Sequence, residues 1–104
     1  MLTAQEIYTK VRTHLLTQME KSQDPVSLEC KYRWGCLRCA VGCLIPDKMY
    51  TPMLEGKVAS HTDVLDAASL ADIDSSTIDL VMRLQQVHDN WDIYSWEECL
   101  NEIA

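Results

Sequence analysis

Four cysteines, Cys30, Cys36, Cys39 and Cys43, fall within fourteen residues of a 104-residue chain. Their spacing is C-x5-C-x2-C-x3-C. Thiolates at such spacing can share a tetrahedral zinc ion. Structural zinc sites usually carry two cysteine pairs on separate knuckles rich in Gly and polar residues. Here Cys39 and Cys43 sit inside the apolar run 39–45, where a free cysteine behaves as a small hydrophobe. Packing is the favoured reading and no cofactor is assigned. A zinc- or thiol-dependent protein built on Cys30, Cys36, Cys39 and Cys43 is the alternative. The unit Cys36-Leu37-Arg38-Cys39 is a CxxC, but a thioredoxin-like redox site needs it within a βαβ pattern, and none is visible. A nucleophilic cysteine needs a neighbouring histidine. His14, His61 and His88 are the candidates, and each has a packing or capping explanation.

The carboxylates form close pairs, Asp63 with Asp66, Asp72 with Asp74 and Asp89 with Asp92. Acid–base chemistry needs two carboxylates in different environments, whereas these fall in predicted caps, loops and exposed helix faces. The stretch Asp89-Asn90-Trp91-Asp92 lacks the Gly and terminal Glu of a calcium loop. No GxGxxG, Walker loop, GxSxG or HExxH is present. No catalytic residue is assigned, and the protein is expected not to be an enzyme. Trp34 and Trp96 read as core. Trp91 reads as an exposed anchor with Asp89 and Asp92 as its polar rim, since aromatics often carry interfaces.

Thr3 with Glu6 is a capping box, and Ile7, Val11, Leu15 and Met19 then recur at helical spacing. The pattern predicts a helix from Ala4 to Met19 or Lys21. A loop at Lys21–Pro25 follows. Val26, Leu28, Cys30, Tyr32 and Trp34 alternate with polar residues, which predicts a half-buried strand. After a turn at Gly35, Cys36–Arg38 is expected to pair with it as a brief hairpin. Residues 39–45 are expected to form a buried helix, although a short core strand fits the run equally well. Ala40 and Gly42 would allow close approach, and Pro46 ends the segment.

Thr51-Pro52 starts a helical turn stopped at Gly56. Thr62–Leu70 is predicted as a short helix. Ser76 with Asp79 starts another helix that runs to about Asn90. Ser95 with Glu98 caps a last one, whose buried stripe is Trp96, Cys99, Leu100 and Ile103. The expected fold is α+β: one compact, mostly helical domain over residues 1–104 with a small central β-hairpin.

Apolar residues make up 47% of the chain and charged residues 24%, as in an average soluble globule, which argues against disorder. The net charge is -7, with 16 acids against 9 bases. Phosphate contacts need clustered Lys and Arg, so direct nucleic-acid binding is not expected. The charge is also uneven. Residues 1–57 sum to +2, and residues 58–104 carry ten acids and one base, Arg83. No apolar run is long enough to span a bilayer, so no membrane association is expected. The opening residues read as no secretion signal. With five cysteines, an odd number, this favours reduced thiols in a cytoplasm.

The string Cys30-Lys31-Tyr32-Arg33, then Cys39-Ala40-Val41-Gly42-Cys43-Leu44-Ile45-Pro46-Asp47, resembles a family of small, uncharacterised phage and prophage proteins. The opening helix, Gln5 to Leu16, and the segment Leu84–Asp89 share in that resemblance. It implies a viral or prophage origin and a bacterial host cytoplasm, and it carries over no catalytic residue. The expectation is an accessory protein that binds, and inhibits, a host or defence protein with a basic surface. Asp72, Asp74, Asp89, Trp91 and Asp92 would form the contact, with the acids imitating nucleic-acid charge. Self-association of the +2 half with the -9 half, giving a homodimer, is a further alternative.

Overall fold

The computed structural model describes residues 2–103. Among them are four α-helices, one two-stranded antiparallel hairpin and several 3₁₀ turns, an α+β architecture. Helix α1 spans Ala4–Gln18. Both bonds of its capping box form: the Thr3 hydroxyl accepts the Glu6 N–H, and the Glu6 carboxylate accepts the Thr3 N–H. The helix ends where Met19 turns left-handed, at φ 50°. Its stripe Ile7, Val11 and Leu15 is buried.

The chain then makes a tight loop rather than the predicted strand. Asp24 Oδ1 accepts the N–H groups of Val26 and Ser27, the Asp24 carbonyl accepts Leu28 N–H, and Leu28 has φ 62°. This side chain-to-backbone turn competes with a sheet ladder and wins after Pro25. Val26 and Leu28 are left 91% and 65% exposed, so the alternation across 26–30 has no buried face behind it. Pairing resumes only at the loop's ends, Gln23 with Cys30.

Strands β1 (Arg33–Trp34) and β2 (Leu37–Arg38) form the hairpin. Its two-residue connection has Gly35 at φ 61°, the conformation a tight hairpin demands at that position. Trp34, expected in the core, lies 40% exposed at this rim. Arg33 and Arg38 face each other across the strands, and Asp47 Oδ1 binds both guanidinium groups, at 2.9 and 2.8 Å. That shared carboxylate relieves a cross-strand repulsion.

The apolar run 39–45 is buried, as its composition requires, apart from half-buried Cys43. It is neither an α-helix nor a strand but a turn with a 3₁₀ segment at Gly42–Leu44. Pro46 lacks an N–H and leaves Ile45 extended, which closes the segment before a second helical turn can form. Gly42 does permit close approach: a Cβ there would lie 2.1 Å from the Tyr32 carbonyl oxygen. Likewise, Pro52–Leu54 is a 3₁₀ turn followed by Gly56 at φ 82°.

Helix α2 spans Thr62–Ala67 and α3 spans Ser75–Asn90. Asp74, not Ser76, caps α3, its carboxylate accepting the Thr77 N–H at 2.8 Å. Asp92 caps the 3₁₀ turn Ile93–Ser95, which runs straight into α4 (Trp96–Ile103). The start therefore falls three residues before the predicted Ser95 cap. A serine is outcompeted in each case by an aspartate two or three residues earlier, a residue equally suited to capping. Helices α1, α3 and α4 pack on one another, and Val81, Leu84, Val87, Trp96 and Leu100 join the α1 stripe in one core. No helix among the described residues is long and apolar enough to cross a membrane.

Candidate functional site

The core contains one fully buried histidine. Helix α3 presents Val81, Leu84, Val87 and His88 inward, and the His88 ring stacks on Trp96 of α4 with centroids 5.5 Å apart. Both ring nitrogens are engaged. Nε2 accepts the Ser22 N–H at 2.9 Å, and Nδ1 lies 2.8 Å from Asp89 Oδ1. A backbone N–H can only donate, so Nε2 carries the lone pair and Nδ1–H donates to Asp89. Asp89 Oδ1 also accepts Gln85 Nε2–H at 2.9 Å.

The loop that replaced the predicted strand supplies the third member. Its paired ends bring Cys30 beside His88 and Asp89, and one ligand atom from each of the three lies within 4.8 Å of the others. This cluster borders a cleft of about 340 Å³ whose lining includes Cys30, Tyr32, Lys57, Met82, Gln85 and Asp89. Burial pushes the Cys30 thiol up to about 11, and the Asp89 charge adds to the rise. With both His88 nitrogens committed elsewhere, no imidazole is aimed at that thiol, and the Asp89 carboxylate beside it favours the protonated form, so the arrangement as it stands does not activate a nucleophile.

The four-cysteine grouping disperses. Cys36 is exposed at the hairpin tip and Cys39 is fully buried. Burial holds the Cys39 thiol far above its ordinary range, and its sulfur accepts the Gly42 N–H. The Cys43 thiol, raised to about 11 by burial, donates to the Ala40 carbonyl. Among the described residues only Cys30 of the four joins a group of convergent ligand atoms. His14 Nε2–H donates to the Arg38 carbonyl, and His61 caps α2.

The acidic candidates divide in two. Asp72 and Asp74 are exposed at the start of α3. Sixteen helical residues, about 24 Å of rise, separate them from the far end. Asp89 is turned inward by His88 and Gln85. Trp91 is 53% exposed, and Asp92 is exposed while it caps the following turn.

Around Trp91 the structure gathers acids that the sequence reading passed over. Helix α4 buries Trp96 and Leu100 and exposes Glu97, Glu98 and Glu102. Tyr94, 87% exposed, precedes it. Two shallow depressions adjoin α4: one holds Arg83, Trp91, Cys99 and Glu102, the other Tyr94, Glu97 and Glu98. Desolvation and the charges of Glu102, Glu98 and Asp92 all raise the Cys99 thiol, a local sign of negative potential. Among the described residues, no Lys or Arg pairs with Asp92, Glu97, Glu98 or Glu102. The helical period of Trp96, Leu100 and Ile103 already implied this outward acidic face.

Comparison with protein families, curated proteins and solved structures finds no match to the chain.

Proposed function

We propose that the protein is a non-enzymatic accessory protein of phage type. It binds a basic surface on a bacterial host or defence protein and inhibits it. The face that docks is the outer side of α4 with the turn before it. One observation carries this reading: Asp92, Glu97, Glu98 and Glu102 lie unpaired around two exposed aromatics, Trp91 and Tyr94. Exposed acids without cationic partners raise the field that steers a basic partner. Amphipathic aromatics supply the anchors that interfaces favour. Competition with nucleic acid for a basic groove is the mechanism of inhibition that such charge suits.

Asp72 and Asp74 fall outside this face, and so does Asp89, whose carboxylate is engaged by His88 and Gln85. The test is affinity capture from bacterial lysate followed by identification of the retained protein. Reversing Glu97, Glu98 and Glu102 to Lys should abolish retention of a basic protein. Reversing Asp66, Asp72 and Asp79 to Lys makes the same change in net charge elsewhere and should preserve it. Equal retention by the two variants would overturn the assignment of the face.

A further inference from the structure

We propose that Cys30, His88 and Asp89 form a binding site for a divalent d-block cation such as Zn²⁺ or Co²⁺. The site is independent of the docking face. The chemistry of the donor set selects the ion. A thiolate and an imidazole suit borderline-soft ions, and a carboxylate completes a set common to zinc centres. The geometry is close to what such an ion needs. Three ligand atoms lie within 4.8 Å of one another, and zinc sits about 2.3 Å from sulfur and about 2.0–2.1 Å from nitrogen, so modest inward movement suffices. The adjoining cleft of about 340 Å³ reaches two of the ligands, Cys30 and Asp89, with His88 buried behind them, and it leaves room for water as a fourth ligand, the open arrangement of a three-ligand zinc site.

Two features of the surroundings sharpen the claim. Gln85 Nε2–H already orients the Asp89 carboxylate, as outer hydrogen bonds do at metal sites. Lys21 reaches the Asp89 carbonyl rather than its carboxylate, at 3.4 Å, so no ammonium group blocks that ligand.

Binding must change the loop. If the ion takes Nδ1, the ring proton moves to Nε2 and faces the Ser22 N–H. If it takes Nε2, it displaces that N–H directly. Either way Ser22 loses the acceptor it holds at 2.9 Å, and the backbone at Ser22 is released from α3 while Cys30 is held to α3 through the ion. The protons balance: His88 stays neutral, and Cys30 gives one proton to solvent as its sulfur becomes the ligand.

The experiment is a cobalt titration of the reduced full chain, followed by the thiolate-to-cobalt charge-transfer band, with hydrogen exchange of the Ser22 amide measured with and without zinc. One cobalt per chain should bind. Cys30→Ser should weaken binding by more than about tenfold, and Cys36→Ser should leave it unchanged. The Ser22 amide should exchange faster once zinc is present. Far-ultraviolet circular dichroism on each variant separates loss of a ligand from loss of fold, and Asp89→Asn, which keeps the side chain's size, provides a second ligand variant. No charge-transfer band, a band that survives Cys30→Ser, or an unchanged Ser22 amide would each overturn the proposal.

Discussion

Gly42 is the residue whose identity the packing constrains most tightly. Its Cα lies against the Tyr32 backbone, and a methyl group there would collide with a carbonyl oxygen that is part of the hairpin's root. Gly42→Ala should therefore destabilise the chain by about 3 kcal/mol or more, the upper part of the overpacking range. Urea denaturation of the variant measures this. The thiols also respond to their surroundings individually. Cys36 is exposed and should react first with a thiol reagent at neutral pH. Cys43, raised to about 11 by burial, should lag well behind it, because the thiolate is the nucleophile.

The raised groups set the sign of the alkaline pH dependence. The ordinary thiol value of 9.0 applies to Cys43 in the unfolded chain, and the folded chain holds it near 11. Between these values the unfolded state binds fewer protons than the native state, so stability falls as pH rises. Tyr50, pushed up to about 12 by burial and by its bond to Glu55, extends the same trend. Thermal melts from pH 8 to 11 should show a progressive loss, and a flat profile would contradict these placements.

At the scale of elements, α4 depends on a cap and a ring. Asp92 accepts the N–H groups of Tyr94 and Ser95, and Trp96 packs fully buried against His88 while its indole N–H donates to the Trp91 carbonyl. Asp92→Ala should cost about 1 kcal/mol, and Trp96→Ala about 3–5 kcal/mol. In contrast, Val26→Ser should lie within about 0.5 kcal/mol of the parent, because Val26 packs on nothing. Chemical denaturation of the three variants orders them.

Helices α1, α3 and α4 were legible in the sequence because their apolar stripes are local, although only the cap of α1 fell where the sequence placed it. Thr3 and Glu6 announced a start, and the spacing of Val81, Leu84 and Val87 announced a buried face. Residues 26–30 misled because alternation is also what a turn decorated with Val and Leu looks like when nothing packs behind it. The Cys30–His88–Asp89 cluster was illegible for a different reason. Cys30 lies far in sequence from the adjacent pair His88 and Asp89, and only the docking of the 19–31 loop on α3 joins them.

For the molecule as a whole, charge placement matters more than net charge. Four of the eight bases of the first half are answered locally: Arg33 and Arg38 share Asp47, Lys31 meets Glu29, and Lys57 meets Asp63. Among the described residues the acids beyond Trp91 have no ion-pair partner, as is also true of Asp66, Asp72, Asp74 and Asp79; what sets α4 apart is the pair of exposed aromatics, Trp91 and Tyr94, beside its acids. Binding through that face should weaken as ionic strength rises and the screening length falls to about 10 Å at 0.1 M salt. The most direct test places a photo-crosslinking side chain at Tyr94, 87% exposed beside Glu97 and Glu98, and compares it with one at Met53, 78% exposed beside Asp63 and Asp66. Position 94 should crosslink a bacterial protein at a Lys- or Arg-rich peptide, and position 53 should not. Crosslinking that favours position 53, or that joins position 94 to a peptide without basic residues, would contradict the docking face.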